Sequence, residues 1–419
     1  MKPDGGPSLE AARYRACAPR EAARYRACAS RIRVLKFLNH FFIGGTERQF
    51  VHVANGLNRS RFAVDIACHR REGPLLEMLH PDLPVHTYSV NGSFLNYKSI
   101  RNQARLIRDI RKKKFDIVHC YGWYPNVFAI PPSRLSFHPV IIASIRDAGA
   151  YMTPAKIQAL KIVCAISDCV LANSEAGRAW LIEQGVRERK IEVIRNGIVV
   201  PRRAERPDGL GPVRQEFGIP AATPICACIG RVVSGKGIEF YLQAARILAD
   251  QRRDVRFLMI GAHSTEEHYR PEIEALAGKL NIGDRIIFTG QREDVPRILQ
   301  EVDIVVHPSL TEGLSNVILE AMAVGIPVVA TRAGGNSELV QDGHTGFMVP
   351  VRDAVQIANA VSRLLDEPQM ARALGERARQ RVIDEFALDR MLSKTEALYL
   401  RLLEKPLHYG AHETNGFVN

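Results

Sequence analysis

Residues 302–331 read "VDIVVHPSLTEGLSNVILEAMAVGIPVVAT". Val302 to Ser309 is a short valine-rich apolar run, which predicts a strand. Ser309 to Leu314 is the loop leaving its carboxyl end. Ser315 or Asn316 would cap a helix over Val317 to Val324, stopped by Gly325 at C′ and Pro327 beyond it. A second strand over 326–331 completes the unit, which has the form of a parallel sheet covered on both faces. Two carboxylates, Glu312 and Glu320, stand eight positions apart in this segment. Glu312 precedes the helix, at the open end of the sheet, and Glu320 lies within it. Free amides at a helix start favour an anion such as phosphate. A carboxylate accepts hydrogen bonds from the vicinal hydroxyls of a ribose or a hexose. Spacing alone leaves a local cap and a solvated helix residue open for these two glutamates.

The same alternation runs in both directions. Strands are expected at 33–39, 63–69, 116–120, 140–145, 169–174 and 191–197, then at 224–230, 255–261 and 285–290. Gly44 and Gly45 precede a helix with apolar Phe50, Val53, Ala54 and Leu57, and residues 353–404 are helical in pattern. Residues 201–222 carry several Pro and Gly and read as a linker. The expected fold class is α/β, with two doubly wound lobes facing a cleft and ligands at the carboxyl ends of the strands. The expected boundaries are 31–200, 201–222 and 223–380, with helices at 381–404 crossing back to the first lobe and a tail at 405–419. Residues 1–30 hold a tandem "EAARYRACA" at 10–18 and 21–29. Two copies are too few for a solenoid, so a disordered extension is expected there.

Of the 419 residues, 46% are apolar and 24% charged, which fits two or three domains with their own cores. The sequence contains no run of 18 apolar residues, so a spanning helix is not expected. The N-terminus lacks the apolar stretch of a secretory signal, and a cytoplasmic location is the expectation. The eight cysteines have no C-x-x-C pair, which argues for reduced thiols and against zinc. The net charge is +12, with 31 basic and 16 acidic side chains in residues 1–200 against 26 and 29 in 201–419. A basic first half favours an anionic partner: a membrane surface, a phosphorylated substrate or nucleic acid.

A second segment bears on the glutamates. "GRVVSGKG" at 230–237 also leaves a strand and nearly matches the phosphate-binding loop G-x-x-x-x-G-K-[ST]. Gly237 replaces the final hydroxyl, so the magnesium ligand of a triphosphatase is missing. Arg231 and Lys236 remain as two cations suited to a diphosphate bound without an obligatory metal.

These segments, with "GGNSELV" (334–340), "DGHTGFMV" (342–349), "GGTERQF" (44–50) and "NSEAGR" (173–178), resemble the retaining nucleotide-sugar glycosyltransferases of family 4. The resemblance covers roughly 31–400 and implies the GT-B architecture of two Rossmann-like domains. It implies a donor diphosphate held by Arg231 and Lys236, a donor sugar contacted by Glu312, and phosphate met by the amides of Gly313, Leu314 and Ser315. Glu320 would take the ribose, Gly44 and Gly45 would close on the donor, and Gln291 and Arg292 would lie near the base. The implied enzyme is a hexosyltransferase using a nucleotide diphosphate sugar, with no metal and no other cofactor. Glu312 would position rather than attack. Three departures stand out. "HCYGWYPN" has His119 but Tyr121 where relatives carry a second histidine. "IGAHSTEEHYR" diverges after its strand. "RNGIVV" lacks an aspartate after Gly197, which makes Asn196 and Gly197 weak site candidates. His119 could assist at the sugar or be a buried, hydrogen-bonded histidine, and Tyr121 would lie on the acceptor side.

On the expected helix 101–114, Ile100, Gln103, Ile107 and Ile110 share one side, and Arg101, Arg105, Arg108 and Lys112 line another. That basic face is either solvated or docks on anionic lipid headgroups, which would suit a lipid-linked acceptor and a peripheral place on the inner face of the cell membrane. The basic helix has no aromatic interleaving, so nucleic acid is not expected as a partner. The alternatives are a nucleotide-sugar 2-epimerase of the same architecture and a non-catalytic sugar-nucleotide-binding partner in a polysaccharide assembly complex.

Overall fold

Two parallel sheets carry the chain in a computed structural model that describes residues 31–404, except 91, 137–138, 147–148, 150–151, 203–210, 252–253 and 262–267. The repeat at 10–29, the tail and part of the divergent "IGAHSTEEHYR" lie outside the described residues. The first sheet contains β1 (Ile32–Leu38), β2 (Phe62–Cys68), β3 (Val85–Thr87), β4 (Ile117–Tyr121), β5 (Val140–Ile145), β6 (Cys169–Ala172) and β7 (Ile191–Val193). Its order is β3-β2-β1-β4-β5-β6-β7. The second contains β8 (Ile225–Ile229), β9 (Arg256–Ile260), β10 (Ile286–Gly290), β11 (Ile304–His307), β12 (Val328–Thr331) and β13 (Phe347–Val349), in the order β10-β9-β8-β11-β12-β13. Both are doubly wound, as expected from the alternation. Strand order reverses between β1 and β4 in one sheet and between β8 and β11 in the other. A crevice opens at such reversals, outside the carboxyl ends of the strands.

The decisive segment folds as its pattern dictates. Ser315 caps the helix Asn316–Val324, its hydroxyl accepting from Ile318 N at 3.3 Å, a contact worth about 1 kcal/mol. Ile318, Leu319, Met322 and Ala323 bury one side of that helix, and it closes at Gly325. In the first lobe, Phe50, Val53 and Ala54 of the helix Gly45–Gly56 and the following Leu57 are all buried, as their spacing predicts.

Three local expectations change. The linker is shorter than composition suggests: Pro212–Glu216 is a helix, and its Val213 packs into the second lobe's core. The buried Glu301 carboxylate accepts from the first-turn amides of Val213 and Arg214 at 3.0 and 3.1 Å. Strands were expected to continue to Ser174 and Gly197, but β6 and β7 end earlier, because Ser174 turns to cap the helix Glu175–Glu183 and 194–197 lead toward the other lobe. On the helix Tyr97–Lys113, Ser99, Leu106 and Ile110 form the buried side, whereas Ile100 is half exposed.

The chain crosses between lobes twice, and the crossings pair. Ile198 N donates to Phe386 O and Leu388 N to Ile198 O, both at 2.9 Å. Beyond this point the helix Leu388–Glu404 returns to the first lobe. There Met391, Leu398 and Tyr399 share a core with Val34, Phe50 and Phe62.

Candidate active site

Both groups of residues singled out in the second lobe sit at its strand reversal. Gly230 and Arg231 follow β8, and Ser309 to Ser315 follow β11. A short 3-10 turn, Ser234–Lys236, brings the Lys236 ammonium onto Glu312 Oε1. The same oxygen accepts from Ser309 Oγ at 2.8 Å and lies 2.8 Å from His307 Nε2. Burial pushes the Glu312 carboxyl up, but Lys236 and His307 outweigh it and hold the group well below the usual carboxylate range. Glu312 is thus a fixed anion with one oxygen engaged three times, and its Oε2 has no partner among the described residues.

Arg231 differs from Lys236. It is exposed, and its side chain makes no hydrogen bond or salt bridge among the described residues. On the loop and helix start that follow the neighbouring strand β11, the backbone N–H groups from Gly313 through Val317 donate to no acceptor among the described residues. A free guanidinium and consecutive free amides at a helix start form an anion site. The loop is not a nucleotide-triphosphatase loop, and Gly237 shows why. Its φ is +62°, and a Cβ there would stand 2.3 Å from the Pro308 carbonyl oxygen. No hydroxyl-bearing residue fits where the magnesium ligand would be.

The first lobe closes over this site. A Cβ on Gly313 would stand 2.4 Å from Arg146 O, so the donor loop touches the end of β5 directly. Asn316 Nδ2 donates to Gly45 O at 3.1 Å, and Asn316 Oδ1 accepts from Asn196 Nδ2 at 2.7 Å. Asn196 Nδ2 also reaches Leu314 O at 3.2 Å. Glu338 of "GGNSELV" meets Arg195 Nε at 2.8 Å and Ala176 N at 3.1 Å. Asn196 and Gly197, weak candidates in the sequence, are therefore at the junction of the lobes. Gly44 caps the helix that carries Gly45, and the Glu47 carboxylate folds back over it. Burial raises the Glu47 carboxyl, while Arg231 and Arg146 pull it down.

Three expected residues, His119, Tyr121 and Arg292, stand differently. His119 is fully buried, with Nδ1 2.7 Å from Tyr399 Oη on the final helix, so it is a core histidine and not a cleft residue. Burial, with Lys36 and Arg146 nearby, holds it neutral, well below its ordinary pKa. Tyr121 is also buried, its Oη accepting from Lys36 Nζ at 2.7 Å, which removes it from the acceptor side. The Arg292 guanidinium is engaged by Glu216 at 2.5 and 2.9 Å and by Asp294 at 2.8 Å, so only its backbone is available to a base. Leu314 buries its side chain in the core, which is compatible with the amide role expected of it. Gln291 is exposed just past β10.

Sequence reasoning missed His307, Arg48, Arg146 and Asn316. His307 had a signal, an imidazole ending a valine-rich strand. The others depend on how the lobes meet. A concavity of about 800 Å³ lies at the opposite ends of the strands, where Pro224, Asp303 and Pro327 precede β8, β11 and β12. Topology and free donors, not volume, locate the site.

Comparison with known proteins agrees with this geometry. Residues 43–202 match the family described as Glycosyltransferase Family 4, and residues 223–367 match Glycosyl transferases group 1. The lipopolysaccharide core biosynthesis glycosyltransferase LpsE of Rhizobium meliloti is 30% identical over 88% of this chain and 99% of its own. A UDP-Gal:alpha-D-GlcNAc-diphosphoundecaprenol alpha-1,3-galactosyltransferase of Escherichia coli is 23% identical over 89% of this chain and 98% of its own. The crystal structure of Anabaena HepE with UDP and glucose superposes with a TM-score of 0.79 at 21% identity, covering 88% of this chain and 100% of that one. The two curated relatives are named as transferases and do not favour the epimerase or silent-partner alternatives. The fold is GT-B, and with its two halves matching the two family profiles, the chain belongs to the family 4, group 1 glycosyltransferases.

Proposed function

We propose that the protein transfers a hexose from a nucleoside diphosphate sugar to a glycan or lipid-linked acceptor, with retention at the anomeric carbon, in polysaccharide biosynthesis. The observation that carries this reading is that the segments leaving the neighbouring strands β8 and β11 hold the Arg231 guanidinium and the amides of Gly313 to Val317, none of them hydrogen-bonded among the described residues. As the anomeric carbon–oxygen bond breaks, its electron pair goes to the departing diphosphate. Arg231, Lys236 and the helix amides meet that charge, which lowers the barrier electrostatically without a metal ion. Glu312, with Oε1 tied to three donors, suits holding a sugar hydroxyl on Oε2 better than covalent attack. The departing phosphate then accepts the proton of the incoming hydroxyl on the same face.

Support for a membrane-borne acceptor comes from the helix Tyr97–Lys113. Arg101, Arg108 and Lys112 are exposed, and Leu95, Tyr97 and Ile100 beside them are 83%, 78% and 50% exposed. Apolar side chains flanked by cations suit an anionic lipid interface. Arg105 is less free, lying 3.5 Å from Asp109 and over the Tyr88 ring. Among the described residues no helix is long and apolar enough to cross a membrane.

The test is a thermal-shift screen of nucleotide sugars without added metal, repeated on Lys236→Ala, followed by NMR of the product's anomeric configuration. A shift that Lys236→Ala abolishes, and a product of the donor's configuration, support the reading. Shifts that survive the substitution contradict the site, and an inverted product contradicts retention. Sedimentation with anionic vesicles at low salt should fall on charge reversal at Arg101, Arg108 and Lys112. Unchanged sedimentation contradicts membrane docking.

A further inference from the structure

Glu320, the carboxylate assigned above to the ribose hydroxyls, has a partner from the opposite lobe. Arg48 Nη1 stands 2.7 Å from its Oε1, with side-chain exposures of 32% for Arg48 and 16% for Glu320. Oε2 of Glu320 has no partner among the described residues. Arg48 lies directly after the glycine pair, on the helix Gly45–Gly56. That helix grips the donor helix Asn316–Val324 at two further points. Gln49 Nε2 approaches Asn316 Oδ1 at 3.3 Å, and Gly45 O accepts from Asn316 Nδ2 at 3.1 Å. One face of the first lobe's helix therefore bears on the first residue and the middle of the donor helix.

A carboxylate accepts up to four hydrogen bonds, two on each oxygen. A guanidinium fixed on one oxygen sets the plane of the group and leaves the other for a ligand. We propose that Arg48 is a donor-positioning residue: from the first lobe it orients Glu320 so that the free oxygen accepts the ribose hydroxyls, coupling ribose recognition to the apposition of the lobes. This inference rests on Glu320 as the ribose acceptor. Burial raises the Glu320 carboxyl and Arg48 pulls it down, so removal of Arg48 also weakens its acceptor character.

The experiment is calorimetric titration of UDP and GDP, with their 2′-deoxy and 3′-deoxy counterparts, into the wild type, Arg48→Ala and Arg48→Lys. The wild type is expected to bind the better ribonucleotide roughly tenfold more tightly than its deoxy forms. In Arg48→Ala that discrimination should fall to about twofold or less, and Arg48→Lys should restore part of it. Loss of affinity for ribo and deoxy forms by the same factor would overturn the inference, because Arg48 would then be merely structural. A wild type that does not discriminate would instead overturn the assignment of Glu320, and the inference with it. A thermal melt of the unliganded Arg48→Ala protein close to that of the wild type, expected for a side chain one-third exposed, separates binding from folding.

Discussion

At the reversal of the first sheet, β1 and β4 carry Lys36, His119 and Tyr121. At the same point of the second, β8 and β11 lead into Arg231, Lys236 and Glu312. The first trio is fully or almost fully buried and paired from within, Lys36 with Tyr121 and His119 Nδ1 with Tyr399, while the buried His119 Nε2 has no partner among the described residues. The second lies in the crevice, with a free guanidinium, free amides and an unengaged carboxylate oxygen. The difference arises from what covers each sheet. The final helix returns to the first lobe and brings Tyr399 against His119, which converts a topological ligand position into core. At the second reversal the first lobe meets the loop and the helix start, yet the Arg231 guanidinium, Glu312 Oε2 and the helix amides keep no hydrogen-bond partner among the described residues. Strand order marks where a ligand can bind, and the chain's later path decides which of two equivalent places remains open.

If this contrast is correct, substitutions in the second lobe should damage turnover and those in the first should damage stability. The largest expected effect is Lys236→Ala, which removes a cation from the departing diphosphate. It should lower kcat/KM by about 10²–10³, read with whichever nucleotide sugar stabilises the wild type. Arg231→Ala should cost about 10- to 100-fold in kcat/KM. Its thermal melt should stay close to the wild type, because the Arg231 side chain makes no hydrogen bond or salt bridge among the described residues and only its longer-range attraction to Glu47 is lost. Tyr399→Phe leaves the His119 Nδ1 buried without its bond, at a cost of about 1–3 kcal/mol in denaturant unfolding. The kcat/KM of the folded fraction should be unchanged.

The pH dependences sharpen the same comparison. Burial, with Arg146 nearby, places the Lys36 pKa well below its ordinary 10.5. Below that value the unfolded chain then binds the extra proton, so stability rises with pH toward 10.5, by at most about 1.4 kcal/mol per pH unit. Lys36→Met should flatten this alkaline rise. Glu312 has the opposite sense. Its folded pKa is depressed, so its contribution is complete above the unfolded value and is lost as pH falls through and below that range. Glu312→Gln should flatten the acid limb and leave the alkaline one.

Much of this was legible in the sequence. The unit from β11 to β12 was written in its cap, its apolar stripe and its stop residue, all of them local signals. The two cations and two glutamates were legible as a pattern, because a shared ligand chemistry links them. The short edge strands β3 and β13 were not, since three residues hold too little alternation, whereas the equally short β7 lay within a longer strand-like run at 191–197. The helix Pro212–Glu216 was hidden by flanking Pro and Gly, and only burial of Val213 and Glu301 reveals it. His119 was ambiguous because its partner, Tyr399, is 280 residues away. Arg48 read as an ordinary helix charge, since nothing local shows that Glu320 of the other lobe stands against it.

The central claim is that a nucleoside diphosphate is gripped at the open reversal of the second lobe. Hydrogen–deuterium exchange with and without the best-stabilising nucleotide sugar tests it most directly. Protection concentrated in residues 230–237 and 312–320 is the predicted result. Protection confined to the ends of β1 and β4, with those two segments exchanging as in the free protein, would contradict it.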